Sequence, residues 1–193
     1  MGIESPDTLM FKMALIGDAA VGKTSLRRKF LGQGFIHSHI ATIGVDFAQK
    51  YVSVDGRTVR LVIWDLAGQQ SYESVRRHYY QGCSSLVLVY SVANRESFDN
   101  ASRWMVEAFK YMGELPPMAI MGNKIDLRNE SHEDFVTTEE GVQFTERFKD
   151  KLGVPAIFRE TCAITGENVL ETFYDLSTMM IREHKTQIGA PGH

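Results

Sequence analysis

The segment Gly17-Asp18-Ala19-Ala20-Val21-Gly22-Lys23-Thr24 constrains this chain more than any other. It follows a short apolar run, Met10–Ile16, and opens a segment, Gly22–Leu31, with a helical pattern. A strand, a glycine-rich turn and a helix in that order place the loop at the carboxyl end of a buried strand. Gly17 and Gly22 permit the backbone angles that curl such a loop around an anion. The amides of Ala20, Val21, Gly22, Lys23, Thr24 and Ser25 then point inward, and the helix N-terminus adds its partial positive charge. Lys23 is placed to reach the β- and γ-phosphates of a nucleoside triphosphate, and the Thr24 hydroxyl is a hard oxygen ligand suited to Mg²⁺. The bland alternative is a turn with a surface Lys, which gives no reason for a strand on one side and a helix on the other.

The rest of the chain alternates between strand-like and helix-like blocks. Val45–Val54 and Arg57–Trp64 flank Asp55-Gly56, a strong hairpin signal, and Val52, Val54, Val59, Leu61 and Ile63 alternate at period two. Ser85–Tyr90 is a continuous apolar run of the kind that is buried on both faces of a parallel sheet. Phe98, Ala101, Met105, Ala108 and Met112 mark one amphipathic helix, and Val169, Phe173, Leu176 and Met180 mark another. Met118–Met121 and Pro155–Phe158 read as strands. Thr137-Thr138-Glu139-Glu140 reads as a capping box that opens a helix through Lys151. Together these predict an α/β domain on a mostly parallel sheet with one antiparallel edge.

With 193 residues, 44% of them hydrophobic, the chain can bury one full core. A formal charge of −3 argues against non-specific nucleic-acid binding, despite the cluster Arg27-Arg28-Lys29. Cys83 and Cys162 lie in apolar or motif segments and read as reduced thiols. No apolar run approaches the roughly 20 residues of a membrane span, and the N-terminus lacks a secretory layout. The expected setting is the cytosol, peripheral to membranes at most through partners or further C-terminal sequence.

Asn123-Lys124-Ile125-Asp126 follows the strand Met118–Met121. The Asp126 carboxylate can accept parallel hydrogen bonds from N1–H and the exocyclic amine of guanine, a donor pair that adenine lacks. The Asn123 amide can bridge the base edge and the phosphate loop, and the Lys124 stem can cover one face of the ring. Such a motif alone is a common turn; with the phosphate loop upstream it becomes a base reader. Thr161-Cys162-Ala163 after the last strand offers a second contact, with the amide of Ala163 suited to guanine O6. Asp65-Leu66-Ala67-Gly68-Gln69 closes the hairpin's second strand. Here Asp65 is placed to hold Mg²⁺ through water, Gly68 to bring its amide to the γ-phosphate, and Gln69 to orient an attacking water. Upstream, the hydroxyl of Thr42 can complete the Mg²⁺ shell and be released after hydrolysis.

These ordered segments resemble the Ras superfamily of small GTPases over about residues 9–183, and within it the Rab family. That resemblance implies a six-stranded sheet with about five helices, an N-terminal extension over residues 1–8 and a flexible tail over 184–193. It implies GTP/GDP and Mg²⁺ as ligands, Gln69 and Lys23 as the catalytic pair, and Phe35 edge-on against guanine. Thr42-Ile43-Gly44-Val45-Asp46-Phe47 is similar to the Rab effector region, and Tyr79-Tyr80 to the Rab pair near the end of switch II. Phe47, Trp64 and Tyr79 match the aromatic triad that Rabs present to effectors, so effectors, exchange factors and activating proteins are the expected partners of a monomer.

Departures from the family pattern carry expectations too. Leu66 stands in place of Thr, which with Ala19 favours slow turnover, and Gln70 stands in place of an acid, which puts borrowed exchange mechanisms in doubt. The Ala19 methyl is expected to crowd Gln69 and slow hydrolysis. Ile40 occupies the place of a cis arginine finger, so an activating partner is needed. No cysteine lies near the C-terminal His193, so no prenyl anchor is expected on this chain. Two readings compete: a switch that hydrolyses GTP slowly, and a scaffold that holds GTP and barely turns it over. A P-loop ATPase or small-molecule kinase is a distant third, since it leaves Asn123 and Asp126 without a role.

Overall fold

The computed structural model describes residues 8–36, 41–129 and 134–189. Its sheet holds β1 (Leu9–Ile16), β2 (Val45–Val54), β3 (Arg57–Leu66), β4 (Ser85–Ser91), β5 (Met118–Asn123) and β6 (Ala156–Thr161). Their order across the sheet is β2-β3-β1-β4-β5-β6. Only β2 runs antiparallel, joined to β3 by the Asp55-Gly56 turn. Both turn residues have positive φ, 50° and 73°, as the tight primed hairpin turn demands. The expected mixed sheet of six strands is therefore present, with the hairpin at its edge.

The pleat divides the core into two layers. Met13 and Leu15 of β1 join Val87 and Val89 of β4 on one face, under α1 (Lys23–Phe30) and α6 (Val169–Gly189). On this side Phe30 stacks on Phe173 at 4.2 Å between ring centroids. Ala14 and Ile16 join Leu86, Leu88 and Tyr90 on the other face, with Trp104, Met105 and Phe148. The helices there are α2 (Glu73–Tyr80), α3 (Arg95–Asp99), α4 (Ala101–Met112) and α5 (Thr138–Leu152). Because both faces are covered, β4 and β5 are buried at every position, which is why they read as unbroken apolar runs.

Several boundaries differ from the sequence reading, β6 among them, which runs on to Thr161 where an end at Phe158 is expected. The hairpin's second strand continues past Trp64 through Leu66, so Asp65 lies inside the sheet, opposite Leu15. β5 likewise extends to Asn123, which pairs with Thr161. The helix expected around Phe98–Met112 is interrupted at Asn100, making α3 and α4 two pieces of one path. Counted that way, the flanking helices number five. At the other end α6 carries on to Gly189, into the stretch expected to be a loose tail, and His184 packs edge-on against Phe11. The remaining expectations for the termini, residues 1–7 and 190–193, lie outside the described residues, as does Ile40.

The capping box at α5 is complete. Thr137 Oγ1 accepts from the amide of Glu140, and Glu140 accepts from the amide of Thr137. Arg95 clasps the same Glu140 carboxylate, at 2.5 and 3.1 Å, joining α3 to α5. The Arg95 guanidinium, with the Thr137 amide, holds the Glu140 carboxyl down at about 2. A folded value below the ordinary 4.5 gives stability that is present above that range and lost as pH falls toward 2. Glu140→Ala should thus lower the free energy of unfolding by about 1 kcal/mol at neutral pH. Urea titrations should show the gap between variant and wild type closing as the solution is acidified through that window.

Candidate functional site

Four of the segments singled out as chemical lie at the carboxyl ends of parallel strands, and the Thr42 segment enters from the connection between α1 and β2. β1 leads into the phosphate loop, β3 into Ala67-Gly68-Gln69, β5 into Lys124-Ile125-Asp126 and β6 into Cys162-Ala163. The parallel pairing of these strands brings the loops to one edge of the sheet. There they enclose a cleft of about 410 Å³. Ala19, Ala20, Gly22, Lys23, Thr24, Ser25, Phe35, Thr42, Gly68, Gln69, Asn123, Lys124, Asp126 and Ala163 all line it.

The loop's glycines are required by close contacts. Gly17 has φ +131° and a Cβ there would strike the backbone carbonyl of Val89 on β4. Gly22, in the left-handed region at φ +103°, caps α1 and abuts the Asn123 amide. A Cβ on Gly68 would strike the backbone of Asp18 and Ala19, so the Gln69 loop sits directly against the phosphate loop. Ala20 also has positive φ, 61°, without the freedom of glycine.

Lys23 is 6% exposed and its ammonium donates 2.7 Å hydrogen bonds to the carbonyls of Gly17 and Asp18. Burial pushes its pKa down to about 8, against the opposing pull of Asp65 and Asp18. Beside it the Thr24 hydroxyl lies 3.0 Å from that of Thr42 and donates to Asp65 Oδ2 at 2.5 Å. Asp65 is fully buried, its carboxyl held above the usual range by that burial, and Oδ1 has no hydrogen-bond partner. Two hydroxyls and a carboxylate with an orphaned oxygen form the hard-oxygen set that suits a small divalent cation. Among the described residues no cluster of three or more His, Cys, Asp or Glu side chains forms a metal site elsewhere.

Asn123 is 1% exposed, and both ends of its amide are engaged. Nδ2 donates to the carbonyl of Val21 at 2.9 Å, and Oδ1 accepts from the Thr161 hydroxyl at 3.2 Å. Lys124 turns the chain with φ 67°, and its ammonium pKa is lowered by burial. Cys162 donates from Sγ to Asp126 Oδ1 at 3.1 Å. Thr161 and Cys162 therefore buttress Asn123 and Asp126 from behind and do not line the cleft. Val21 likewise points into the core.

The Asp18 side chain faces away from the cleft. Its carboxylate accepts from Asn100 Nδ2 at 2.8 Å and from Trp104 Nε1 at 2.7 Å. Leu66, the departure from the family pattern beside Asp65, lies behind the cleft. The strand alternation that buries Asp65 under the cleft sends Leu66 into the opposite layer, where it is fully buried and lines nothing. Ala19 remains an exposed cleft residue beside Gln69. The side chain of Gln70 lies outside the described residues.

The sequence model of the Ras family matches residues 12–182. The chain belongs to the Ras family. It is a small GTPase, a guanine-nucleotide-binding switch protein built on a P-loop, of the kind that engages regulators and effectors. Sequence reasoning on this Ras-family protein missed Arg28, Ile36, Ala41, Leu127 and Ile164 among the cleft residues, and the Asp18 contacts with Asn100 and Trp104. Ile36, Ala41, Leu127 and Ile164 stand next in sequence to Phe35, Thr42, Asp126 and Ala163, while only the fold brings Arg28 to the cleft and Asn100 and Trp104 to Asp18. Gly22→Ala is expected to cost about 2 kcal/mol of stability, from left-handed strain and from displacing Asn123. Thermal unfolding of the variant with and without GDP should show a lower midpoint and a smaller ligand-induced rise.

Proposed function

We propose that this Ras-family protein is a Rab-like switch that binds GTP with Mg²⁺, hydrolyses it slowly, and changes partners with the nucleotide. The observation that carries the reading is the placement of Gln69 and Gly68 on the same cleft as Lys23 and Thr24, with Gly68 against the phosphate loop. Asp126 and the Ala163 amide read the guanine base, Phe35 and the Lys124 stem cover it, and Asn123 holds base segment and phosphate loop in one register. Lys23 and the amides of Ala20 through Ser25 hold the phosphates. Mg²⁺, held by Thr24, Thr42 and Asp65, neutralises charge on the β- and γ-phosphates when bound.

Hydrolysis needs little covalent chemistry from the protein. Gln69 orients a water toward the γ-phosphorus, and the Gly68 amide and the Lys23 ammonium stabilise charge developing on the γ-phosphoryl oxygens. Loss of that group frees Thr42 and relaxes its loop. The partner-facing side is the aromatic row Phe47–Trp64–Tyr79, with ring centroids 5.1 and 4.9 Å apart and Phe47 54% exposed. An exposed Phe47 beside the half-buried Trp64 and Tyr79 is suited to anchor an effector protein. The chain acts as a cytosolic monomer, peripheral to membranes at most through partners or through further C-terminal sequence. The second reading, a GTP-bound scaffold, rests on the Ala19 methyl in the cleft beside Gln69.

Single-turnover hydrolysis separates the two readings. Protein loaded with GTP should convert it to GDP over minutes to hours, and Gln69→Leu should slow this by about tenfold or more. Equal persistence of GTP in both proteins would establish the scaffold. Lys23 supplies a pH signature. Its folded, nucleotide-free pKa of about 8 must rise when phosphate pairs with the ammonium, so binding takes up a proton. GDP affinity should then be flat below this value and weaken above it, by up to about tenfold per pH unit. Fluorescent-GDP titrations across that range should show the slope, and Lys23→Arg should abolish it.

A further inference from the structure

Arg76 is the largest fully buried side chain in the described protein, 1% exposed on a surface helix, α2. A guanidinium so placed must satisfy its donors inside the fold. It does so in two directions. Nε and Nη2 each donate at 2.7 Å to separate oxygens of Glu107 on α4, a bidentate clasp. Nη1 donates to the carbonyl of Ala67 at 3.0 Å and to that of Gln69 at 2.5 Å. Arg76 therefore grips the backbone on both sides of Gly68 and ties it to a helix of the rigid layer.

That helix is anchored in turn to the phosphate loop. The Arg76 guanidinium lies over the ring of Trp104, 4.5 Å from its centroid. Trp104 Nε1 donates to Asp18, and Asn100 donates to the other Asp18 oxygen. The break in the helix at Asn100 gives that side chain its reach. Tyr80 adds a third hydrogen bond to Glu107, at 2.8 Å, and Glu73 at the start of α2 accepts from Lys110 and Tyr111 of α4. A continuous bracket runs from Asp18, through Trp104 and Glu107, to Arg76 and the Gln69 carbonyl. It spans the back of the cleft and sets the distance between the loop that holds phosphate and the loop that carries Gln69.

We propose that Arg76, held by Glu107 against Trp104, is a positioning residue for GTP hydrolysis, acting by fixing the Gln69 backbone relative to the phosphate loop. The inference rests on the catalytic reading of Gln69 given above. Arg76 touches no reacting atom; its effect passes through the Ala67 and Gln69 carbonyls. Misplacing a water-orienting group by about 1 Å is enough to cost on the order of a hundredfold in rate.

The test uses single-turnover hydrolysis in the full chain, with GDP release and thermal unfolding measured beside it. Arg76→Met combined with Glu107→Leu and Tyr80→Phe removes the buried charges together, leaving no unpaired one, so stability should stay near that of the wild type. Hydrolysis should nevertheless fall by on the order of tenfold to a hundredfold, while GDP release changes little. Placed in a Gln69→Leu background, the same substitutions should slow hydrolysis no further. Glu107→Gln, a milder break of the clasp, should lower the rate in the wild-type background alone, and decides the matter should the triple variant fail to fold. An unchanged rate in a folded variant overturns the proposal. So does an equal drop in both backgrounds, the mark of a merely structural residue. If Gln69→Leu itself hydrolyses like wild type, the catalytic reading of Gln69 fails first and takes the bracket with it.

Discussion

The buried amide of Asn123 is the contact on which the cleft depends. It lies at the end of β5, donates to the carbonyl of Val21 in the phosphate loop and accepts from Thr161 at the end of β6. One planar side chain thus ties together loops that follow three different strands. Its demands spread outward. Gly22 must lack a side chain because the Asn123 amide fills that space, and Thr161 must be a small donor. Burying such a group unpaired costs a few kcal/mol, so losing either partner leaves one end of the buried amide unsatisfied.

A second set of buried polar groups serves the opposite side of the cleft. Asp18 turns its carboxylate away from the phosphates and into α4, and Arg76 leaves solvent to bind the loop between Ala67 and Gln69. Both choices spend side chains of high hydration on interior contacts. Interior ion pairs are poor sources of stability compared with apolar packing. Their geometric specificity is what the fold gains here: two cleft loops are tied to the same helix.

Much of this was legible from residue types and spacing. The phosphate loop, the Asp55-Gly56 hairpin, the Thr137–Glu140 capping box and the fully apolar β4 are local signals, set by backbone angles and period, and the structure bears each out. Where the reading stopped short, the reason was always a neighbour distant in sequence. β3 runs on through Leu66 because β1 and β2 offer it partners, and the same pleat that buries Asp65 under the cleft sends Leu66 away from it. The helix path breaks at Asn100, the residue whose amide reaches Asp18. Arg76 belongs to no motif, and nothing nearby in the chain announces Glu107 or Trp104.

The sequence by itself determined the kind of fold and the chemical inventory of the cleft, because glycine spacing, hydrophobic period and motif order are properties of the chain alone. Tertiary structure decided which of those residues face the cleft and which stand behind it. Asp18, Thr161 and Cys162 belong to recognised motifs yet serve as braces, while Arg76 belongs to none and holds the loop of Gln69. Hydrogen-bond partners and burial depend on what lies across the fold, and no local pattern encodes that.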